Sequence, residues 1–257
     1  MKARIDVNCD LGESYGHFKV GCDAEIMPFI TSANVACGFH GGDPNVMAET
    51  VELARRNGVA VGAHPGYPDL MGFGRREMEL SKEEVKNIVV YQVGALKAFT
   101  KAAGVKLQHV KPHGALYNAV ATNEDYSEAV IEALKAIDPE LILFAPANSG
   151  LAKMAVKAGL RVAYEVFADR AYNSDGTLVS RGLQGSVIED SELVAERAVK
   201  MVKKRKVMAV DGKTVEFAEV HTICVHGDTL NAVELAKSLR KALTSARIEL
   251  VPISRLM

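Results

Sequence analysis

Charged and imidazole side chains sit at the ends of apolar, strand-like runs throughout this sequence. Asp10 ends the run Arg4–Asp10, His40 ends Asn34–His40, His64 ends Val59–His64, Lys111 ends Leu107–Lys111 and His226 ends His221–His226. Glu165 and Asp169 share one parity along a run that starts at Arg161 and reads as a strand to Ala168. The stretch HVKPHGALYN, residues 109–118, concentrates the pattern, with two histidines and a lysine around Pro112. Three chemistries use such an inventory. Imidazole with carboxylate holds a divalent metal, and His40, His64, His113 or His226 with Asp10 are the candidates, although no H-E-x-x-H helix accompanies them. Alternatively, carboxylates and histidines act as general base and acid in a hydrolysis, with Lys111 and Arg170 binding anionic oxygens. A nucleophile at Cys9, Cys37 or Ser149 is the least favoured, because no G-x-S-x-G elbow is present and Cys9 and Cys37 fall on the apolar parity of their runs.

The elements that must position these groups follow from hydrophobic period. Ile5, Val7 and Cys9 share one face of the first run, and Asp6, Asn8 and Asp10 the other. Val35, Cys37 and Phe39 oppose Asn34 and His40; Val110 opposes His109 and Lys111; Ile223 and Val225 oppose His226. Side chains alternate along a strand, so the polar set points together into a lumen, gathered at the carboxyl ends where (β/α) barrels carry their chemistry. A single residue of this kind is as readily a structural ion pair. A whole set is not, since each uncompensated buried charge is costly. On this reading His113 is lifted onto the rim beyond Pro112, and His109, one layer deeper, is structural. Glycines near the strand ends, among them Gly12, Gly62, Gly66 and Gly114, let backbone approach a ligand closely.

Strand-like runs alternate with helical patterns along the whole chain, including Leu141–Ala145 as a fifth strand. Asp43–Pro44 opens a helix that Gly58 closes, and Ser81 with Glu84 forms a capping box before a helix ending near Gly104. Further helices are expected near Glu124–Ile137, Ser149–Ala158, Ser191–Lys204 and Leu230–Thr244. VMAVDGKTVEF reads as a hairpin turning at Asp211–Gly212, not as a phosphate loop, and RIELVPI as a last strand. Seven β-α units without a linker predict an α/β fold, a closed parallel barrel formed by residues 1–257 as a single domain.

Composition narrows the function. A formal net charge of −1 argues against a nucleic-acid or membrane-surface partner, both of which need excess basic residues. No run approaches the ~18 apolar residues of a membrane span. Four scattered cysteines without a C-x-x-C pair, and no apolar signal core at the N-terminus, predict reduced thiols and a cytoplasmic protein.

The segments DVNCDLGESYG, SANVACGFHGGDP, VGAHPGYPD, HVKPHGALYN, EVFADRAY and VHGD, in this order, resemble the LamB/YcsF family over essentially the whole chain. The resemblance implies an irregular, seven-stranded (β/α), TIM-barrel-like fold of the glycoside hydrolase/deacetylase superfamily. It further implies ATP-dependent opening of the lactam 5-oxoproline to L-glutamate, with ATP as cosubstrate and with 5-oxoprolinase subunits B and C as partners. The residues it carries over are Asp10, Glu13, His40, His64, Lys111, His113 and His226 as catalytic, and Asp43, Glu165, Asp169, Arg170 and Asp228 as substrate-binding. In that scheme Lys111 stabilises a phosphate or oxyanion, Asp10 or Glu13 activates water, a histidine protonates the departing nitrogen, and Arg170 holds the substrate carboxylate. The chain has no Walker A motif, which fits an ATP site on another subunit. Two alternatives stay open: a metal-dependent deacetylase or carbohydrate hydrolase of the same superfamily, and a non-catalytic subunit that captures a small acid.

Overall fold

The computed structural model describes residues 3–227 and 231–257. In chain order the elements are β1 (Arg4–Leu11), α1 (Asp23–Ile26), β2 (Ser32–Ala36), α2 (Pro44–Asn57), β3 (Ala60–His64), α3 (Lys82–Ala102), β4 (Leu107–Val110) and α4 (Gly114–Thr122). They continue with α5 (Glu124–Ile137), β5 (Ile142–Pro146), α6 (Gly150–Lys157), β6 (Arg161–Phe167), α7 (Ser191–Lys204), β7 (Lys206–Met208), β8 (Thr214–Glu216), β9 (Thr222–Val225), α8 (Ala232–Ser245) and β10 (Glu249–Leu250). Strands β1-β2-β3-β4-β5-β6-β9 lie side by side and β9 returns to β1, closing a barrel of seven parallel strands.

The alternation of the first strand has its expected consequence. Ile5, Val7, Cys9 and Leu11 are buried in the apolar core. Asp6, Asn8 and Asp10 point into the lumen, where Asp6 accepts from Thr222 on the neighbouring β9 and Asn8 and Asp10 bond to Glu165 and Lys111. The helix signals hold as well. The Asp43 carboxylate caps α2 through the Asn45 and Val46 N–H groups, and Gly58 ends that helix at φ +67°. Ser81 and Glu84 make both bonds of the capping box on α3. The hairpin forms as β7 and β8, with Gly212 at φ +82° in its turn.

Four expectations need correction. The second strand stops at Ala36, because Gly38 (φ +94°) and Gly42 (φ +77°) turn the chain, so His40 reaches the site from a loop and not by strand alternation. Residues 114–122 form a helix, α4, where the sequence suggests only a turn. The last strand is only Glu249–Leu250, paired with Arg4–Ile5 at the start of β1, outside the closed ring. Finally, Pro112 does not end the contact between β3 and the segment after β4. The Lys111 N–H donates to the Ala63 carbonyl (2.9 Å) and the His113 N–H to the Pro65 carbonyl (2.8 Å). His113 is therefore only 4% exposed, not raised on the rim.

Candidate functional site at the carboxyl end of the barrel

The lumen is layered. At its base Asp6 accepts hydrogen bonds from Thr31 Oγ1 (2.7 Å), Ser32 Oγ (2.6 Å) and Thr222 Oγ1 (2.5 Å). One layer higher, Asn8 Nδ2 donates to Glu165 Oε1 (2.9 Å), Asn34 Nδ2 donates to Asn8 Oδ1 (2.8 Å), and His109 Nε2 meets Asn34 Oδ1 (2.8 Å). His109 also stacks on Phe144 with centroids 4.2 Å apart, so its role is structural. These amides are filler of a particular kind: they satisfy the carboxylates and leave few unpaired polar atoms in a closed interior.

Lys111 stands above them between two carboxylates, 3.0 Å from Asp10 Oδ1 and 3.0 Å from Glu165 Oε1. Burial works against its charge, but Asp10 and Glu165 hold the ammonium well above its ordinary value. Cys224 Sγ is a further neighbour at 3.0 Å; burial pushes that thiol up despite Lys111, so it is a neutral S–H. Tyr117 OH, from α4, donates to Glu165 Oε2 (2.5 Å). Burial alone would raise the Asp10 carboxyl, yet His64 and Lys111 beside it hold it well below the usual carboxylate range.

Beside this ion pair lies a cluster of three histidines and Glu13. His64 Nδ1 is 2.7 Å from the Lys111 carbonyl, and His113 Nε2 is 2.8 Å from the Phe73 carbonyl. A carbonyl only accepts, so each of these nitrogens carries the proton, and the tautomers follow from the network. The remaining nitrogens, His64 Nε2 and His113 Nδ1, face each other at 2.9 Å. Glu13 Oε1 lies 3.4 Å from His113 Nδ1 and 3.2 Å from His40 Nε2, while Asp10 Oδ2 lies 3.4 Å from His64 Nε2. His40 stacks parallel on His113 at 3.6 Å, and its Nδ1 finds no hydrogen-bond partner among the described residues. Burial, then the neighbouring rings, push both His40 and His113 well down, so both are neutral.

On the other side of the opening, His226 Nδ1 donates to Asp169 Oδ2 at 2.7 Å. A buried carboxylate that accepts from one imidazole nitrogen fixes the tautomer and the ring orientation, the geometry of a catalytic His–Asp pair. A cavity of about 580 Å³ opens above, lined among others by Asp10, His64, Lys111, His113, Glu165 and His226. That is within the range of small-molecule sites, about 300–1,000 Å³. The segment between β6 and α7 forms one wall. Arg170 ties it down, with Nε on the Ser186 carbonyl (3.2 Å) and Nη2 on the Val179 carbonyl (2.6 Å), while Arg181 lines the cavity nearby.

Nine of the twelve residues singled out in the sequence thus form one connected constellation: Asp10, Glu13, His40, His64, Lys111, His113, Glu165, Asp169 and His226. Arg170 lines the same cavity, with two of its donors already spent on backbone carbonyls. Asp43 does not line the cavity; its carboxylate is used by Asn45, Val46 and Gly16 N–H groups. Asp228 lies outside the described residues. Sequence reasoning passed over Tyr117, Cys224 and Arg181. Cys224 was within reach, since it shares the parity of His226 on a strand read as lumen-facing. Tyr117 was not, because α4 was not anticipated. The glycines also turn out differently. A Cβ on Gly62 would fall 2.1 Å from the His109 ring, and one on Gly66 would fall 2.5 Å from His40 Nδ1, so both make room for histidines and not for a ligand.

Known proteins resemble this chain closely. The model of the LamB/YcsF family matches residues 5–257. A protein of Pyrococcus horikoshii, named as the 5-oxoprolinase A subunit, is 58% identical over 250 residues, 97% of this chain and 98% of its own. One of the same name from Alkaliphilus metalliredigens is 54% identical over 254 residues, 99% of each chain. Among solved structures, the lactam utilization protein of Thermus thermophilus superposes with a TM-score of 0.92 at 50% identity, covering 96% of this chain and 99% of that one. A family match of this extent, with relatives more than half identical over nearly their whole length, places the chain in the LamB/YcsF family.

Proposed function

We propose that this chain is the lactam-opening subunit of an ATP-dependent 5-oxoprolinase, converting 5-oxoproline to L-glutamate with ATP as cosubstrate and with subunits B and C as partners. The name shared by its close relatives supports the substrate and the existence of a complex. The observation that carries the chemistry is the pairing, across one cavity, of a buried Asp10–Lys111–Glu165 ion cluster with a His226–Asp169 dyad. The lactam is a resonance-stabilised amide, and phosphorylation of its oxygen by ATP makes its carbon electrophilic. Water attacks that carbon, the ring C–N bond breaks with a proton delivered to nitrogen to leave an acyl phosphate, and a second water displaces phosphate to give the free side-chain carboxylate of glutamate. His226, oriented by Asp169, suits the proton transfers. Asp10 is a weak base because its carboxyl is held so low; its part is to orient and to balance charge. Lys111, with its protons directed at Asp10 and Glu165, keeps that cluster charged and places one cation below the reacting oxygen. Arg170 and Arg181 give the wall a positive potential suited to the substrate carboxylate or a phosphate. Four free cysteines, three of them buried and Cys22 exposed, fit a cytoplasmic site for the reaction.

The reaction is tested by assaying glutamate release and ADP formation from the chain alone, from subunits B and C alone, and from all three together. Only the full set is expected to release glutamate, in step with ADP. Equal glutamate release by B and C without this chain defeats the proposal.

A further inference from the structure

Two imidazole lone pairs cannot face each other at 2.9 Å without something positive between them or beside them. His64 and His113 are in that position, because the Lys111 and Phe73 carbonyls take the protons of their other nitrogens. A third acceptor, Glu13 Oε1, stands 3.4 Å from His113 Nδ1, and the ligand atoms of Glu13, His64 and His113 lie within 4.8 Å of one another. Metal–nitrogen and metal–oxygen bonds of about 2.0–2.2 Å put neighbouring ligand atoms roughly 2.9–3.5 Å apart in octahedral or tetrahedral geometry. The observed spacings of 2.9 and 3.4 Å are those of ligands around one ion.

We propose that His64 Nε2, His113 Nδ1 and Glu13 Oε1 form a binding site for one divalent first-row transition metal, of which zinc is the reference ion. Two imidazoles and a carboxylate suit such metals better than magnesium or calcium, which prefer all-oxygen sets. The surroundings have the form of a supporting shell. Both ligand histidines donate their second N–H to a backbone carbonyl, which fixes ring orientation and raises basicity at the metal-facing nitrogen. His40 is not a ligand. Its ring lies parallel to His113 at 3.6 Å, so the in-plane lone pairs of the two rings cannot converge on one ion. Instead His40 Nε2 sits 3.2 Å from Glu13 Oε1 and positions that carboxylate. His64 and His113 reach the cavity wall and Asp10 Oδ2 is 3.4 Å from His64 Nε2, so the site has an open side facing the substrate space. His226, considered from sequence as a ligand, belongs to the Asp169 dyad instead.

The competing arrangement is a proton shared between His64 Nε2 and His113 Nδ1, and binding measurements on the full chain separate the two without any assay of activity. Chelated protein is titrated with Zn(II), Mn(II) and Mg(II) by calorimetry, and crystals soaked in Zn(II) are measured at the zinc edge. One zinc per chain, bound more tightly than magnesium, with an anomalous peak bonded to His64 and His113, is the expected result. His113→Ala should lose affinity by more than the roughly 10- to 100-fold that loss of a supporting hydrogen bond costs, and His40→Ala should fall within that range. Circular dichroism and melting temperature in the absence of metal show whether each variant is folded, and the wild-type crystal measurement stands without them. Binding of no metal, a peak on Asp10, Cys224 and His226 instead, or a proton found between the two rings by nitrogen-15 NMR in the presence of zinc would each overturn the assignment. Failure of glutamate release leaves it untouched, because none of these readouts depends on the lactam reaction.

Discussion

Lys111 is the clearest case of a residue whose environment defines its work. It is 2% exposed and makes ion pairs with Asp10 and Glu165, so it holds two buried carboxylates in place as well as facing the cavity. Lys111→Met should therefore abolish turnover and also destabilise the fold, by on the order of 3–5 kcal/mol for an ion pair broken from one side. Adding Glu165→Gln to it should recover part of that loss, and urea unfolding of the single and double variants measures the coupling. An undiminished unfolding free energy for Lys111→Met would contradict the ion-pair account. Asp169→Asn tests the dyad differently. The amide no longer fixes the His226 tautomer, so kcat should drop by about 10²–10⁴ while KM for 5-oxoproline stays close to wild type. A rise in KM with kcat preserved would make Asp169 a substrate contact.

Asp43 shows how one residue serves an element. It caps α2 just before Pro44 and also accepts from Gly16 N–H at 2.8 Å, tying the loop after β1 to the start of that helix. Backbone donors at Gly16 and Val46 hold its carboxyl below the usual range. Asp43→Ala should cost about 0.5–2 kcal/mol of stability, and Asp43→Asn should recover most of it. Thermal unfolding reads both variants. A large KM increase in the Asn variant, with stability unchanged, would instead make Asp43 a substrate-binding group. At this scale the caps, the period-2 strands and the hairpin were legible, because each depends on neighbours in sequence. The loop from Cys37 to Asp43 was not. Its apolar and polar residues alternate like a strand, but Gly38 and Gly42 adopt left-handed conformations that the alternation conceals.

For the whole molecule, the base of the lumen sets a pH dependence. Asp6 is fully buried, and burial raises its carboxyl to about 6 in spite of hydrogen bonds from Ser32, Thr222 and Thr31. The folded state therefore binds this proton more tightly than the unfolded chain does. Its contribution to stability is complete below about pH 4, declines as pH rises through 6 and is then absent, a change on the order of 3 kcal/mol. The stability of wild type minus that of Asp6→Asn, from urea unfolding at a series of pH values, should fall between about pH 4 and 7. A difference that stays flat across this interval would show that Asp6 does not titrate abnormally. The closed barrel makes this effect possible, since seven strands around one lumen exclude water from a carboxylate that an open sheet would leave wet.

By itself the sequence determined the repeated β-α order, the apolar and polar faces of β1 and β4, and the presence of lysine, histidine and carboxylate at strand ends. Those are local properties, written in residue type and period. Only the tertiary structure decided which of these groups meet. Closing β9 onto β1 sets Cys224 beside Lys111, and the stacking of β3 on the segment after β4 brings His64 to His113. The burial of Arg170 under carbonyls and the use of Asp43 as a cap are decided the same way. Distances between residues 49 or 113 positions apart depend on how the ring of strands closes, and strand period alone carries no information about closure.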